Sequence, residues 1–205
     1  MKITAIAQIM KNSYLIRLCK GNGEQYITNG CGLYSLYNFP LLNADQLCAI
    51  LGIPEKKKGK YNIEDNAEIP EFVNANVNQY NPLERKNLLI SYLGELYEPL
   101  NLHTGIAFIN SKYLKPFADL EEISLFDHYD MVQGKHTIIV KAGFLFVGAI
   151  VPENIISDNL YDLLRKTTDL VKAVLDKEAY EHRVNFVDEQ QIFQIEKSDK
   201  EEHSE

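Results

Sequence analysis

Short runs of alternating apolar residues open the chain and predict a meander of antiparallel strands. Every second residue from 3 to 9 is apolar, which favours a first strand over residues 3–10. Runs rich in aromatic and β-branched residues predict further strands at 14–19, 25–28 and 33–37. The sequence Gly-Asn-Gly at 21–23 predicts a tight hairpin turn, because these residue types tolerate positive φ.

Helical signals follow in three places. Asn43 is suited to cap a short helix that has Gln46 at its third position and ends at Gly52. Apolar residues recur at helical spacing over residues 87–97, which predicts a second helix. The clearest stripe lies at 160–175 and predicts an amphipathic helix from residue 157 or 158 to about residue 180.

The remaining apolar runs predict further strands and, with the elements above, a fold class. Apolar runs predict strands at 106–109, 136–141 and 144–151, with a turn at 142–143, and edge strands at 184–187 and 191–195. Strands run consecutively without regular βαβ alternation, so we expect an α+β fold with a mixed, mostly antiparallel sheet and a C-terminal amphipathic helix packed on it. We expect one domain over 1–195, a polar excursion near 55–80, and a disordered acidic tail over 196–205.

Charge and cysteine content narrow the classes of function. The 205 residues carry a formal net charge of −8, which repels phosphate backbones and argues against nucleic acid as a partner. The basic run at 56–60 is typical of a solvated turn after a short helix. The three cysteines form no CxxC pair, and no apolar run is long enough for a membrane span, so we expect a cytoplasmic protein that does not enter membranes.

Cys31 is the centre of the candidate catalytic constellation. Gln25 lies six residues before it, the spacing at which papain-like cysteine peptidases place an oxyanion-hole glutamine. The sequence NGCGLYS at 29–35 is similar to the nucleophile segment of the bacteriocin-processing branch of that clan. The resemblance implies that Cys31 would be a nucleophile activated by a neighbouring imidazole.

His136 would supply that imidazole, and Glu153 or Asn154 would orient its ring. The nucleophile of these peptidases begins a long helix, however, and Pro40 ends any helix after Cys31 within about eight residues. We therefore expect a glycine-flanked cysteine in a hairpin and favour no catalytic residues. A papain-like hydrolase that uses Cys31, His136, Gln25 and Asn154 is kept as the alternative.

Metal and cofactor chemistry has weaker support in the sequence. Residues 127–130, Asp-His-Tyr-Asp, offer zinc or iron ligands when they are combined with His136 or His103. Adjacent residues such as Asp127 and His128 point apart on a regular element, and no HExxH or HxxxH motif is present. We predict no metal site and no cofactor.

An aromatic group gives the candidate binding site. Tyr34, Tyr37 and Phe39 lie beside Pro40, and aromatic residues of this kind would mark a protein interface if they were exposed. The expected function is therefore a non-catalytic accessory protein that acts by protein–protein interaction. The alternatives are the cysteine hydrolase and a protein that binds a small ligand.

Parts of the chain resemble proteins encoded by prophages of gut Firmicutes. The resemblance rests on GEQYITNG at 23–30, LYSL at 33–36, LGIPEK at 51–56 and the segment 144–155. It implies a mobile-element origin and an intracellular accessory role, and it supplies no reaction. The strand–strand–strand–helix order over 3–53 also resembles one module of a DNA sliding clamp, but acidic residues interleave with the basic ones at 160–175, where a clamp needs a basic face.

Overall fold

Within the residues that the structure describes, seven strands form one sheet and three form another. The computed structural model describes residues 1–75, 81–86, 88–156 and 164–177, and the chain divides into two units, Met1–Ile155 and Ile156–Glu205. The elements of the first unit are α1 (Ile3–Lys11), β1 (Leu15–Gly21), β2 (Glu24–Thr28), β3 (Gly32–Ser35), α2 (Ala44–Leu51), α3 (Glu55–Lys58), β4 (Asn62–Ala67), a 3-10 helix (Glu71–Asn74), β5 (Ile90–Tyr92), β6 (Glu95–Leu102), β7 (Gly105–Asn110), a second 3-10 helix (Ser111–Phe117), β8 (Ile123–Asp130), β9 (Lys135–Ala142) and β10 (Leu145–Ile150).

The larger sheet has the order β4-β1-β2-β3-β10-β9-β8, and the smaller has the order β5-β6-β7. Neighbouring strands are antiparallel throughout, except that β4 runs parallel to β1. A parallel pair requires a crossover connection, and the segment that contains α2 and α3 provides it. The predicted α+β class with a mixed, mostly antiparallel sheet is confirmed.

Alternation along the strands divides the core between the two faces of the larger sheet. One face packs against α1, α2 and the 3-10 helix Ser111–Phe117 and carries Ile16, Leu18, Ile27, Tyr34, Leu125, Ile138, Val140 and Ile150. The other face carries Cys19, Tyr26, Leu33, Phe126, Ile139 and Ala149, which pack against Val73 and its neighbours. Since side chains alternate along a strand, each strand contributes to both clusters, and the sheet is buried on both sides.

Two predicted elements are wrong. Residues 3–10 form the helix α1 and not a strand, with Ile6, Ala7, Ile9 and Met10 buried on one side. The described part of 87–97 contains β5 and β6, joined at Leu93 and Gly94, whose φ values are 49° and 80°. A right-handed helix cannot pass through two residues with positive φ, so the apolar spacing there belongs to a hairpin.

Most of the other local predictions are confirmed. The runs at 14–19, 25–28 and 33–37 correspond to β1, β2 and β3, and those at 106–109, 136–141 and 144–151 correspond to β7, β9 and β10. The polar stretch near 55–80 contains α3, β4 and the 3-10 helix Glu71–Asn74, and β4 was not predicted. Residues 76–80 lie outside the described part of the chain.

The second unit is described at Ile156 and at 164–177, and the latter range forms the helix α4. This agrees with the predicted amphipathic helix. Its predicted ends, the edge strands at 184–187 and 191–195, and the acidic tail at 196–205 lie outside the described residues. The single domain over 1–195 therefore stays a prediction. In the described ranges, no helix is long and apolar enough to cross a membrane.

Candidate functional site

Strands β8 and β9 place three side chains that carry polar groups on one face of the larger sheet. Asp127 and Tyr129 lie two residues apart on β8, and His136 on β9 is directly opposite Tyr129. Because directly opposed residues share a face, all three project on the side that also carries Leu125 and Ile138. His128 projects to the other face, where its ring lies 6.4 Å from that of Phe72.

The hairpin between β6 and β7 brings two more side chains to this place. Leu102 pairs with Gly105, so His103 and Thr104 form a two-residue turn. Gly105 has a φ of 141°, a backbone conformation that residues with a Cβ rarely adopt. The turn reaches the start of β9, with the His103 and His136 ring centroids 5.3 Å apart.

Asp127 connects the two histidines. Its Oδ2 lies 2.8 Å from Nδ1 of His103, and its Oδ1 lies 2.7 Å from Nδ1 of His136. The Oγ1 of Thr104 lies 2.7 Å from Nε2 of His136. The Tyr129 ring covers the His136 ring with centroids 4.7 Å apart. The side chain of Asp127 is only 11% exposed, so a carboxylate largely removed from water faces two imidazole nitrogens.

In the sequence, residues 127–130 were candidate ligands in combination with His136 or His103, and the adjacent pair Asp127 and His128 counted against them. That pair does point apart as expected. The structure instead joins Asp127 to both His103 and His136, which meet through a turn and a strand pairing. The sequence signal for the turn was the polar pair His103-Thr104 followed by Gly105, between two apolar runs. The predicted absence of a metal site is not tested by this geometry.

The residues of the hydrolase alternative are not brought together. Cys31 lies in a turn in which Asn29 Oδ1 accepts hydrogen bonds from the backbone N–H groups of Cys31 and Gly32, and not at the start of a helix. Strand β10 lies between β3 and β9, so about two interstrand spacings of roughly 4.8 Å separate Cys31 from His136. Burial raises the pKa of Tyr113, and a hydrogen bond with Cys31 raises it further, which makes Tyr113 a neighbour of the thiol.

The partners proposed for the thiol and the imidazole have other roles. Gln25 is buried and donates hydrogen bonds to the carbonyl oxygens of Phe39 (3.0 Å) and Pro40 (2.6 Å), while its Oε1 accepts one from the Leu42 N–H (3.0 Å). This glutamine therefore fixes the loop after β3. The hydrogen-bond partner of His136 Nδ1 is Asp127 and not Asn154. Asn154 is exposed in the segment after β10.

A second concave feature lies at the opposite end of the larger sheet. The β1–β2 turn, the segment after β3 and the β9–β10 turn surround a cavity of about 470 Å³. Its apolar lining includes Ile6, Leu36, Phe39, Val73, Leu120 and Phe146. The two buried polar side chains at its wall are bonded within the chain: Gln25 to the segment after β3, and Tyr26 to Glu24 by a hydrogen bond of 2.8 Å. Within the described residues, every buried side-chain nitrogen and oxygen has a hydrogen-bond partner.

The predicted aromatic patch is divided by the structure. Tyr34 is fully buried, with its ring 5.5 Å from that of Phe117 and its hydroxyl 3.3 Å from the Tyr113 carbonyl oxygen. It is therefore a core residue and takes no part in a surface, because residues of β3 alternate between two buried faces. Tyr37 and Phe39 lie beyond the end of β3, where Tyr37 is 81% exposed and Phe39 is half-buried, and both line the cavity.

Comparison with known proteins gives no relative from which a function could be carried over. No protein-family model, no curated protein and no solved structure matches this chain.

Proposed function

We propose that this protein acts in the cytoplasm by binding a segment of a partner protein in the cavity at the end of the larger sheet. The occupant would be a peptide segment with aromatic or aliphatic anchor residues flanked by basic residues. The observation that supports this proposal is an apolar cavity whose rim is formed by large side chains left exposed to water.

The rim distinguishes this cavity from an ordinary gap in packing. Tyr37 and Leu145 both line the cavity and are exposed, and Phe144, the residue before Leu145 in the β9–β10 turn, is 92% exposed. Contiguous apolar side chains of this size are unfavourable in water and are typical of sites that another molecule covers. Aromatic residues in particular are enriched in the centre of protein interfaces.

The chemistry of the wall favours a peptide over a small polar ligand. A volume of 470 Å³ lies within the range of about 300–1,000 Å³ for ligand pockets. Such pockets usually hold a few unpaired polar groups in their depth that orient the ligand, whereas here the two buried polar side chains, Gln25 and Tyr26, are bonded within the chain. The other polar residues of the wall, Ser35, Asn38 and Asn74, are half-buried or exposed. Apolar anchor side chains need no such groups, and backbone polar atoms of a bound segment stay at the solvated rim.

The negative charge of the chain supports a partner segment with basic residues. The formal net charge of −8 and the position of Glu24 at the cavity favour basic residues next to the anchors and disfavour nucleic acid. The three cysteines are free thiols, which suits a reducing compartment. The resemblance to prophage-encoded proteins supports an accessory role for this binding.

Selection of displayed random peptides against the full chain tests the proposal. We expect enriched peptides to contain aromatic or aliphatic anchors near Lys or Arg. Replacement of Tyr37 by Ser or of Leu145 by Glu should weaken their binding by about tenfold or more, as expected for central anchors of an interface. Fluorescence polarisation with a labelled enriched peptide measures the Kd.

The chain offers a matched control for each variant. Tyr14 is an equally exposed tyrosine, and Val132 is an exposed aliphatic residue in the β8–β9 turn at the other end of the sheet. Tyr14→Ser and Val132→Glu should leave the Kd within about twofold. Failure to enrich any peptide, or equal effects of all four variants, would contradict the proposal. An apolar small molecule found by native mass spectrometry and displaced by Leu145→Glu would favour the small-ligand alternative instead.

A further inference from the structure

We propose that His103, Asp127 and His136 form a binding site for one divalent transition-metal ion of the Zn²⁺ class. The ligand atoms would be Nδ1 of both histidines and a carboxylate oxygen of Asp127. The site lies at the start of β9, whereas the cavity lies at its end, so this inference is independent of the proposed function.

The positions of the three ligand groups fit one ion. One atom from each residue can be chosen so that all lie within 4.8 Å of one another. Zinc ligands lie about 2.0–2.2 Å from the metal, so two ligand atoms in a tetrahedral site are about 3.4 Å apart. The Asp127 oxygens lie 2.8 and 2.7 Å from the two imidazole nitrogens. These spacings are shorter than the metal-bound one, so the side chains would move apart slightly when an ion binds. The His103 side chain, 58% exposed on its turn, faces solvent.

Thr104 provides the outer contact that a metal-binding histidine requires. Its hydroxyl lies 2.7 Å from Nε2 of His136. If Nε2 carries the proton and donates to Oγ1, the lone pair of Nδ1 is directed to the metal. A histidine that binds a metal through one ring nitrogen usually donates a hydrogen bond from the other. The Tyr129 ring also covers the His136 ring and restricts its rotation.

The second histidine distinguishes a metal site from a catalytic triad. Thr104, His136 and Asp127 alone are arranged as a hydroxyl, an imidazole and a carboxylate, the order of groups in a hydrolase triad. A triad has no role for His103, yet Nδ1 of His103 lies 2.8 Å from Oδ2 of Asp127, the carboxylate oxygen that does not face His136. Two imidazoles and one carboxylate form a ligand set that suits zinc and neighbouring ions. Three protein ligands leave one coordination position for water.

Metal titration of the full chain, first dialysed against a chelator, tests this site. We expect calorimetry with Zn²⁺ to give one ion per chain, and Co²⁺ to develop the visible absorption of a four-coordinate site. Asp127→Asn and His136→Ala should each weaken Zn²⁺ binding by about 100-fold or more. Thr104→Val should weaken it by about tenfold, the lower part of the range for outer-shell contacts.

His128→Ala is the matched control, because His128 is adjacent in sequence and faces the opposite side of the sheet. It should leave the affinity within about twofold. His103→Ala, a change on an exposed turn, keeps the test valid if a variant in β8 or β9 fails to fold, and circular dichroism checks each fold. Absence of stoichiometric binding, or an affinity that His103→Ala leaves unchanged, would overturn the proposal. Equal losses in His128→Ala and His103→Ala would also overturn it, since binding would then not depend on this cluster.

Discussion

At the scale of single residues, Glu98 illustrates how a buried charge is accommodated. Only 3% of its surface is exposed on β6. Arg85 donates two hydrogen bonds of 2.7 Å, from Nε and one terminal nitrogen, to its two carboxylate oxygens. This pairing raises the pKa of Arg85. Bidentate pairs between charged groups are among the strongest hydrogen bonds in proteins, so this one attaches residues 81–86 to the smaller sheet.

Replacing Arg85 by Met should therefore destabilise the protein. The carboxylate of Glu98 would stay buried without a charged partner, and we expect the free energy of unfolding to fall by about 2–3 kcal/mol. Urea denaturation measures this change. The double variant Arg85→Met with Glu98→Gln should recover a large part of the loss, because the uncompensated charge is then removed. A change of less than about 0.5 kcal/mol, ordinary for surface positions, would show that the pair is not needed.

At the scale of elements, α1 shows that one short stretch supports two periodicities. The spacing of Ile3, Ala5 and Ala7 fits a strand, and the β-branched isoleucines favour extended backbone. The spacing of Ile3, Ile6 and Met10 equally fits one side of a helix, with Thr4 exposed on the other. Packing of α1 on α2 and on the 3-10 helix Ser111–Phe117 decides for the helix. In a strand Ile3 and Ile6 would point to opposite faces, so only the helix places Ile3, Ile6 and Met10 on one side.

The helix α2 is instead specified by its own ends, and its cap is open to a direct test. Asn43 Oδ1 accepts a hydrogen bond of 2.9 Å from the Gln46 N–H, and Gln46 Oε1 accepts one of 2.9 Å from the Asn43 N–H. Asn43→Ala should lower the free energy of unfolding by about 1 kcal/mol. Asn43→Asp keeps the acceptor and should stay within a few tenths of a kcal/mol of the wild type. If both variants shift the urea midpoint equally, the side-chain cap is not the cause.

At the scale of the whole molecule, a sheet buried on both faces leaves its ends as the places where loops meet. The metal-site cluster uses one end of β9 and the peptide cavity uses the other. Turns that connect strands of both sheets, and the segments beside them, meet at these ends. Both faces of the larger sheet are already covered by packed residues and leave no room for a site. Each site is thus built from residues distant in sequence, such as Asp127 and His103, which are 24 residues apart.

Burial of tyrosines in both faces should make the folded protein sensitive to alkali. Burial raises the pKa of Tyr26 and Tyr34 well above the ordinary value of about 10. A folded-state pKa above the unfolded one means that this contribution to stability is complete below about pH 10 and is lost as pH rises beyond it. We expect the urea midpoint to decline above about pH 10.

Tyr34→Phe removes one of these buried phenols and should make that decline shallower. Tyr37→Phe is the matched control at an exposed position and should leave the slope unchanged. A slope in Tyr34→Phe equal to that of the wild type would show that ionisation of Tyr34 does not contribute to the alkaline loss of stability.

The candidate sites were only partly predictable from the sequence. Residue types in the segment 127–130 indicated metal ligands, and Tyr37 with Phe39 indicated a contact surface. The combination of Asp127 with His103 depends on the β8–β9 register and on the reach of the β6–β7 turn. Neither is encoded locally, since a shift of one residue in strand register would turn Asp127 to the other face.

The sequence by itself determined the elements whose signals are local. The cap at Asn43, the hairpin turns at 21–24 and 142–145 and the helical stripe of α4 all arise from residues a few positions apart, whose backbone preferences act without the rest of the chain. Tertiary structure decided the helical state of α1, the parallel pairing of β4 with β1, the burial of Tyr34 and the meeting of His103, Asp127 and His136. These depend on which apolar surfaces can be buried together, and that is a property of the packed chain and not of any short segment.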